Sequence, residues 1–113
     1  MRHINMGSLR HRVTVQKAVK ETNDRGVETW AYPGMEDFNV WANIESYGAK
    51  INNGEAEKVS AIEYRITVRY RPDIGEKDRI FHQGRIFVQT LPPQNVDERS
   101  IFLRLQCEEL IPE

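Results

Sequence analysis

An alternation of apolar and polar side chains with a period of two residues constrains the fold of this chain most. It is clearest in residues 63–72, EYRITVRYRP, where aromatic and β-branched side chains alternate with arginine and threonine. This period is typical of a β-strand with one face in a core and the other facing water. The same pattern recurs in LRHRVTVQ, FNVWANIE, DRIFHQGRIFVQTL and SIFLRLQCEE. The sequence therefore predicts an all-β protein.

The length of the chain, 113 residues, is that of one domain. We therefore predict that residues 1–113 form a single domain of about five to seven short antiparallel strands, closed into a barrel or packed as a sandwich. Residues His82–Gly84 are predicted to form a tight hairpin turn, because glycine accepts a positive φ.

Long loops are predicted to connect these strands. They cover residues 18–37, with a short strand at Val27–Trp30, residues 45–62, with at most a short helical turn from Glu55, and residues 91–99. Loops of nearly 20 residues are unusual in a small domain and tend to carry function. Residues 1–8 are predicted to be a flexible N-terminus, because the first strand pattern begins at Leu9.

Composition limits the class of protein. A single cysteine, Cys107, rules out an internal disulfide and is typical of a reducing compartment. No apolar run approaches the roughly 20 residues of a membrane-spanning helix. The N-terminal MRHINMGS lacks the apolar segment of a secretory signal. We therefore expect a soluble intracellular protein without a membrane partner.

Residue patterns that carry catalysis are missing from the sequence. No serine lies in a glycine-flanked elbow that would expose a nucleophile. The three histidines lack the spacing of metal ligands, and no glycine-rich phosphate loop or dinucleotide fingerprint occurs. His11 and Cys107 share the apolar phase of their strands and are predicted to pack in the core. The chain is therefore predicted not to be an enzyme and to need no cofactor or metal.

Charge is segregated along the chain although the net charge is only −1. Residues 1–20 have a net charge of +5 and residues 21–63 of −6, whereas residues 64–90 have +3 and residues 91–113 have −3. Two interpretations stay open. The segments are ordinary fluctuations, or surfaces of opposite sign meet in an assembly.

Nucleic-acid binding is an alternative suggested by the basic strand. Basic strands interleaved with aromatic residues bind single strands by stacking the bases over a positive groove. Tyr64 and Tyr70, however, alternate away from the arginines and are predicted to point into the core. A small β-barrel that binds single-stranded nucleic acid therefore stays an alternative rather than the main hypothesis.

The order of the strand segments resembles the phage head-tail joining family. The string runs from LRHRVTVQ through VWANIE, YRITVRYRPDI and DRIFHQGRIFVQ to LRLQCEE, and it covers Leu9 to Glu109. This family comprises the stopper, head-closure and head-tail adaptor proteins of long-tailed phages and their prophages. The resemblance implies a small β-barrel without enzymatic activity, located in the virion and in the host cytoplasm during assembly.

The resemblance also implies partners. Such a chain forms a ring of identical subunits on the head-tail connector, with a dodecamer as one candidate stoichiometry. It contacts portal and adaptor proteins and a tail terminator protein, and packaged double-stranded DNA passes through the channel without sequence-specific binding. A tail-completion or terminator protein is the alternative role in the same setting.

Two sets of residues follow from the resemblance. The loop 45–62 is expected to project into the channel, and its candidate residues are Glu45, Gly48, Asn53, Gly54, Glu55 and Glu57. A basic outer face is expected to meet a neighbouring subunit or the connector, with a solvated face and DNA contact as the other interpretations. Its candidate residues are Arg10, Arg12, Arg65, Arg69 and Arg71.

Overall fold

The computed structural model describes residue 7 and residues 9–51 and 60–110. This part of the chain contains nine β-strands and, at Val96–Glu98, a 3-10 turn. The strands are β1 (His11–Gln16), β2 (Val19–Thr22), β3 (Glu28–Ala31), β4 (Phe38–Ile51), β5 (Ser60–Arg69), β6 (Arg79–His82), β7 (Arg85–Gln89), β8 (Gln94–Asn95) and β9 (Phe102–Leu110).

Six of these strands close into an antiparallel barrel. The order around the barrel is β5-β4-β1-β6-β7-β9, and β9 pairs back onto β5. Closure leaves no open sheet edge within this circle. The short strand β8 adds two further pairs to β9. The all-β fold predicted from the alternation is confirmed, and of its two forms, barrel and sandwich, the structure has the barrel that the resemblance implies.

The barrel interior contains the alternating apolar side chains. Val13 and Val15 of β1, Ile66 and Val68 of β5 and Leu105 of β9 are each at most 1% exposed. Tyr64 and Tyr70 are partly buried and pack against this core, as predicted. Other buried core members are Ala42, Ile74, Ile80, Phe87, Leu103 and Cys107.

The hairpin between β6 and β7 confirms the predicted turn. Gln83 and Gly84 connect the two strands with φ values of 51° and 79°. Two consecutive residues with positive φ are typical of the two-residue turns whose twist matches that of the flanking strands.

The prediction of a loop over residues 45–62 is wrong for the residues that the structure describes, because these residues belong to strands. β4 continues to Ile51 and β5 begins at Ser60, and their pairing runs from Ala42↔Val68 to Ile51↔Ser60 with a bulge between Ser46 and Gly48. This β4–β5 arm extends past the barrel, where the alternation disappears because no core selects one face. Residues 52–59 lie outside the described residues, and with them Asn53, Gly54, Glu55, Glu57 and the predicted helical turn. The predicted N-terminus, residues 1–8, also lies outside them except for Gly7.

The predicted irregular stretch 18–37 contains a hairpin, β2–β3. The short strand predicted at Val27–Trp30 is confirmed as β3, shifted by one residue, whereas β2 was not predicted. Its strands pair from Val19↔Ala31 to Thr22↔Glu28 and form a separate two-stranded sheet. The turn begins at Asn23, whose Oδ1 accepts hydrogen bonds from the N–H groups of Arg25 and Val27 at 2.8 and 3.0 Å. Every residue of β2 is exposed.

The base of the β2–β3 hairpin is anchored to the barrel by Asp78, whose side chain is buried. The carboxylate accepts hydrogen bonds from the Ala18 N–H at 2.8 Å, the Gly75 N–H at 2.8 Å and the Lys17 ammonium at 2.6 Å. On the β3 side, the Tyr32 hydroxyl donates to the Lys77 carbonyl at 2.7 Å. Within residues 9–51 and 60–110, no helix is long and apolar enough to cross a membrane.

Candidate functional site

Three of the five predicted interface arginines come together on the outer wall of the barrel. Arg12 of β1 is the register partner of Trp41 of β4, and Arg69 is on the outward phase of β5. These side chains and Arg71 line one shallow concavity of about 560 Å³, together with Leu9, Asn39 and Val40. We call Arg12, Trp41, Arg69 and Arg71 the arginine patch.

Trp41 is the aromatic centre of this patch. Its side chain is on the outer face and 52% exposed, and the Arg12 guanidinium lies 5.2 Å from its ring centroid. A guanidinium over an indole face is a favourable cation–π arrangement. The patch therefore presents a large apolar ring flanked by positive charge, a composition found at the centres of protein interfaces.

Arg71 is held in a fixed orientation within the patch. Its guanidinium donates two hydrogen bonds to the Asp73 carboxylate, at 2.9 and 2.8 Å, and it lies 3.9 Å from the Phe38 ring centroid. The hydrogen bond from Arg71 lowers the pKa of Asp73. Asp73 therefore already pairs with Arg71 at the edge of the patch.

The other two predicted arginines lie elsewhere. Arg10 is exposed, and its Nε donates to the Gly7 carbonyl at 3.3 Å. Arg65 is the register partner of Glu45 across β4 and β5. It lines a second groove, of about 1050 Å³, with Phe102, Arg104 and the segment from Leu91 to Arg99. Arg65 therefore lines a different concavity from Arg12, Arg69 and Arg71.

Tertiary contacts, rather than the strand pattern, separate Arg65 from Arg69. Thr67 lies between Arg65 and Arg69 on the outward phase of β5, yet it is only 2% exposed. Phe102, the β9 register partner of Arg69, is also on the outward phase and is only 8% exposed. The segment that carries β8 passes this part of the wall, and the Ile101 carbonyl accepts a hydrogen bond from the Tyr70 N–H at 2.8 Å.

A second outer surface was missed by the sequence reasoning. Phe81 pairs with Ile86, and Ile86 with Leu110, so outward apolar side chains of β6, β7 and β9 are neighbours. Phe81 and Val88 are each 36% exposed and Leu110 is 50% exposed. We call Phe81, Ile86, Val88 and Leu110 the apolar wall. Its signal in the sequence is the run of consecutive apolar residues in RIFVQ, which makes both faces of a strand apolar.

Two carboxylates border the apolar wall. Glu108 is the register partner of Val88 on one side and of Glu63 on the other. Like charges directly opposite in a sheet are destabilising. Among the described residues, neither Glu63 nor Glu108 has a hydrogen bond or an ion pair with a basic group.

Of the predicted channel residues, Glu45 and Gly48 are described, and both are in β4. Glu45 lies opposite Arg65, and Gly48 follows the bulge and pairs with Glu63. β1 pairs with β4 only as far as Ala42, and β9 pairs with β5 only as far as Glu63. The outer part of the arm therefore projects from the barrel as a two-stranded ribbon in the described part of the chain.

The candidate chemical groups are structural in character. Burial raises the pKa of the Cys107 thiol to about 12, so the thiolate required of a nucleophile is suppressed at neutral pH. His11 is exposed rather than packed in the core, because it begins β1 at the rim of the barrel. Its ring lies 5.4 Å from that of His82. Burial lowers the pKa of His82, and the charges of His11 and Arg85 add to the effect.

In residues 9–51 and 60–110, no group of three or more histidine, cysteine or acidic side chains is arranged to hold a metal ion. The arrangement on the outer wall is suited to binding another macromolecule.

The fold is similar to two solved structures. One is a chain from the virion of a native gene transfer agent (GTA) particle, at 19% identity and a TM-score of 0.71, with 92% of this chain and 97% of that chain covered. The other is protein SF1141 from Shigella flexneri 2a, solved in solution, at 27% identity and a TM-score of 0.64, with 97% and 100% covered. No curated protein matches the chain.

The phage head completion protein family matches residues 4–110. The chain therefore belongs to the phage head completion protein family and is a structural protein of the phage head, located in the virion.

Proposed function

We propose that this chain forms a ring of identical subunits on the head-tail connector, where the ring closes the DNA-filled head and provides the surface for tail attachment. The observation that carries the proposal is the arginine patch. An exposed tryptophan flanked by guanidinium groups contributes little to a monomer, whereas tryptophan and arginine are the residues that most often dominate binding energy at interfaces.

The β4–β5 arm is the element proposed to close the channel. It projects from the barrel past its last pairs with β1 and β9. The acidic segment 21–63, with a net charge of −6, contains the arm's first strand. Acidic walls suit a DNA channel, because tight phosphate contacts would hold the DNA back during ejection. Packaged double-stranded DNA is thus proposed to pass without sequence-specific binding.

The proposed partners lie on both sides of the ring. Portal and adaptor proteins lie on the head side, and the tail terminator protein on the tail side. The proposed role is mechanical and electrostatic and needs no enzymatic activity. A ring that binds tails and not heads would instead be a tail-completion protein.

The experiment uses DNA-filled, tailless heads from the cognate phage lacking this protein. The purified chain is added, and bound protein and retained DNA are measured after sedimentation. We expect the wild-type chain to sediment with the heads and to restore DNA retention. Arg69→Glu should reduce binding about tenfold or more, as expected for an interface residue at the centre of a contact.

Arg99→Glu is the matched control, because Arg99 is exposed and lies in the other groove. It makes the same change of charge and should bind as the wild-type chain does. Equal binding by Arg69→Glu and wild type, with both folded, would contradict the role of the patch. Binding of the chain to isolated tails alone would favour the tail-completion role.

Single-stranded nucleic-acid binding is a second candidate, because Trp41 supplies the aromatic platform that the tyrosines do not. Base–aromatic stacking contributes about 1–3 kcal/mol per base. This function predicts oligonucleotide binding at low salt that weakens steeply as salt rises. Quenching of Trp41 fluorescence by oligothymidylate tests it, with Trp41→Phe as the variant that identifies the responding residue.

A further inference from the structure

We propose that the arginine patch of one copy docks on the apolar wall of the next copy and on the carboxylates of Glu63 and Glu108 beside it. This inference rests on the ring of the proposed function and names its subunit contact. A ring built from one repeated contact needs two different, complementary surfaces on each subunit.

Trp41, the centre of the arginine patch, and the apolar wall lie on opposite sides of the barrel, and Glu63 lies on β5 at the edge between them. The closed order β5-β4-β1-β6-β7-β9 puts β7 three strands from β4 in either direction. Trp41 is in β4 and Val88 is in β7, and both are on the outward phase of their strands. A subunit with complementary surfaces on opposite sides joins its neighbours head to tail, and such a contact forms a ring when the rotation between subunits closes the circle.

The apolar parts of the two surfaces are complementary. The apolar wall is continuous across three strands, through the Phe81↔Ile86 and Ile86↔Leu110 pairs. Contiguous apolar patches on an outer surface are typical of interaction sites. The half-exposed Trp41 ring is a large apolar group that would be covered by such a wall.

The charges of the two surfaces are complementary as well. Glu63 and Glu108 lie opposite each other in the β5–β9 register, so each raises the energy of the other until a cation approaches. Arg12 and Arg69 flank Trp41 and would supply that cation. The wall's own cation, Arg79, lies 3.6 Å from the Tyr32 ring centroid and donates to the Gln16 side chain at 3.2 Å. Arg79 is therefore already engaged within its own subunit.

A charge swap tests the contact. Arg69→Glu and Glu108→Arg are made singly and together, and binding to tailless, DNA-filled heads is measured by sedimentation. Each single change should reduce bound protein about tenfold. The double change should restore binding to near the wild-type level. In a ring of identical subunits, every contact then joins a patch with reversed charge at residue 69 to a carboxylate site with reversed charge at residue 108. Arg12→Glu with Glu63→Arg is the second pair, for the case that one variant of the first pair does not fold.

The outcomes separate this contact from the proposed function. If the wild-type chain binds and Glu108→Arg binds equally well, the contact is overturned. The same follows if the double variant is as defective as Arg69→Glu alone. Both results would leave the ring on the connector in place. Absence of wild-type binding would overturn the proposed function and the contact with it. Arg99→Glu combined with Glu108→Arg should stay defective, because Arg99 is outside the patch.

Discussion

The barrel and the β2–β3 hairpin use the same antiparallel pairing but are stabilised by different means. The barrel strands surround side chains such as Val15 and Phe87, which are fully buried. The hairpin has no core, and its large apolar side chains Val27 and Trp30 are 53% and 45% exposed. An isolated two-stranded hairpin is only marginally stable in water. The hairpin is therefore held by its anchored base, and the barrel by its interior.

This contrast separates stability from assembly. Substitutions in the barrel interior should change the free energy of unfolding. Substitutions of exposed aromatic residues should change binding and leave the free energy of unfolding nearly constant.

The largest expected effect is that of Phe87→Ala. The Phe87 ring is 0% exposed and lies edge-to-face to Tyr64, with ring centroids 5.0 Å apart. Truncating a buried phenylalanine removes transfer energy and leaves a cavity, so the free energy of unfolding should fall by about 3–5 kcal/mol. Denaturant titration measures this loss. Trp30→Ala is the exposed aromatic control and should change the free energy of unfolding by less than about 0.5 kcal/mol. Equal losses in both variants would contradict the contrast.

Asp78→Ala should have the next largest effect. It removes the acceptor of the Ala18 and Gly75 N–H groups and the partner of the Lys17 ammonium. Leaving such donors without an acceptor should lower the free energy of unfolding by about 2 kcal/mol. The control is Asp24→Ala in the exposed hairpin turn, which should change it by less than about 0.5 kcal/mol. A tolerated Asp78→Ala would mean that the hairpin does not depend on this anchor.

The smallest of the three effects is a loss of stability at alkaline pH. Burial raises the pKa of Cys107 from its ordinary value of 9.0 to about 12, so above pH 9 the unfolded chain loses a proton that the folded chain keeps. The contribution is therefore fully present below pH 9 and is lost as pH rises toward 12. The loss amounts to about 1.4 kcal/mol at pH 10. Denaturant titrations at pH 8 and pH 10 should show this extra loss in the wild type and not in Cys107→Ala. The same pH dependence in both would show that the thiol is not buried in solution.

The sequence predicted the barrel well because the alternation exists wherever a core selects one face of a strand. It failed for β2 and the end of β4, which have no core on either side, although it placed a short strand within one residue of β3. His11 has the phase of Val13 and Val15 but lies at the rim, so period alone could not place it.

The candidate site was predicted only in part for a related reason. Outward residues can be recognised from the alternation, and Arg12, Arg69 and Arg71 do lie together on the outer wall. Segments that are distant in the sequence decide which part of an outer wall is covered. Here residues 91–101 cover the wall between Arg65 and the patch. Trp41 and the apolar wall become significant only when the barrel closes and places them on opposite sides.

The measurement that tests the central claim most directly is hydroxyl-radical labelling of the free and the head-bound chain. Oxidation of each side chain reports its exposure to solvent. We expect Trp41, Phe81 and Leu110 to be protected on heads. Met35, which is 90% exposed in the free chain and lies on neither surface, should be labelled equally in both states. Unchanged labelling of Trp41 and Leu110 on heads that carry the bound protein would contradict the account.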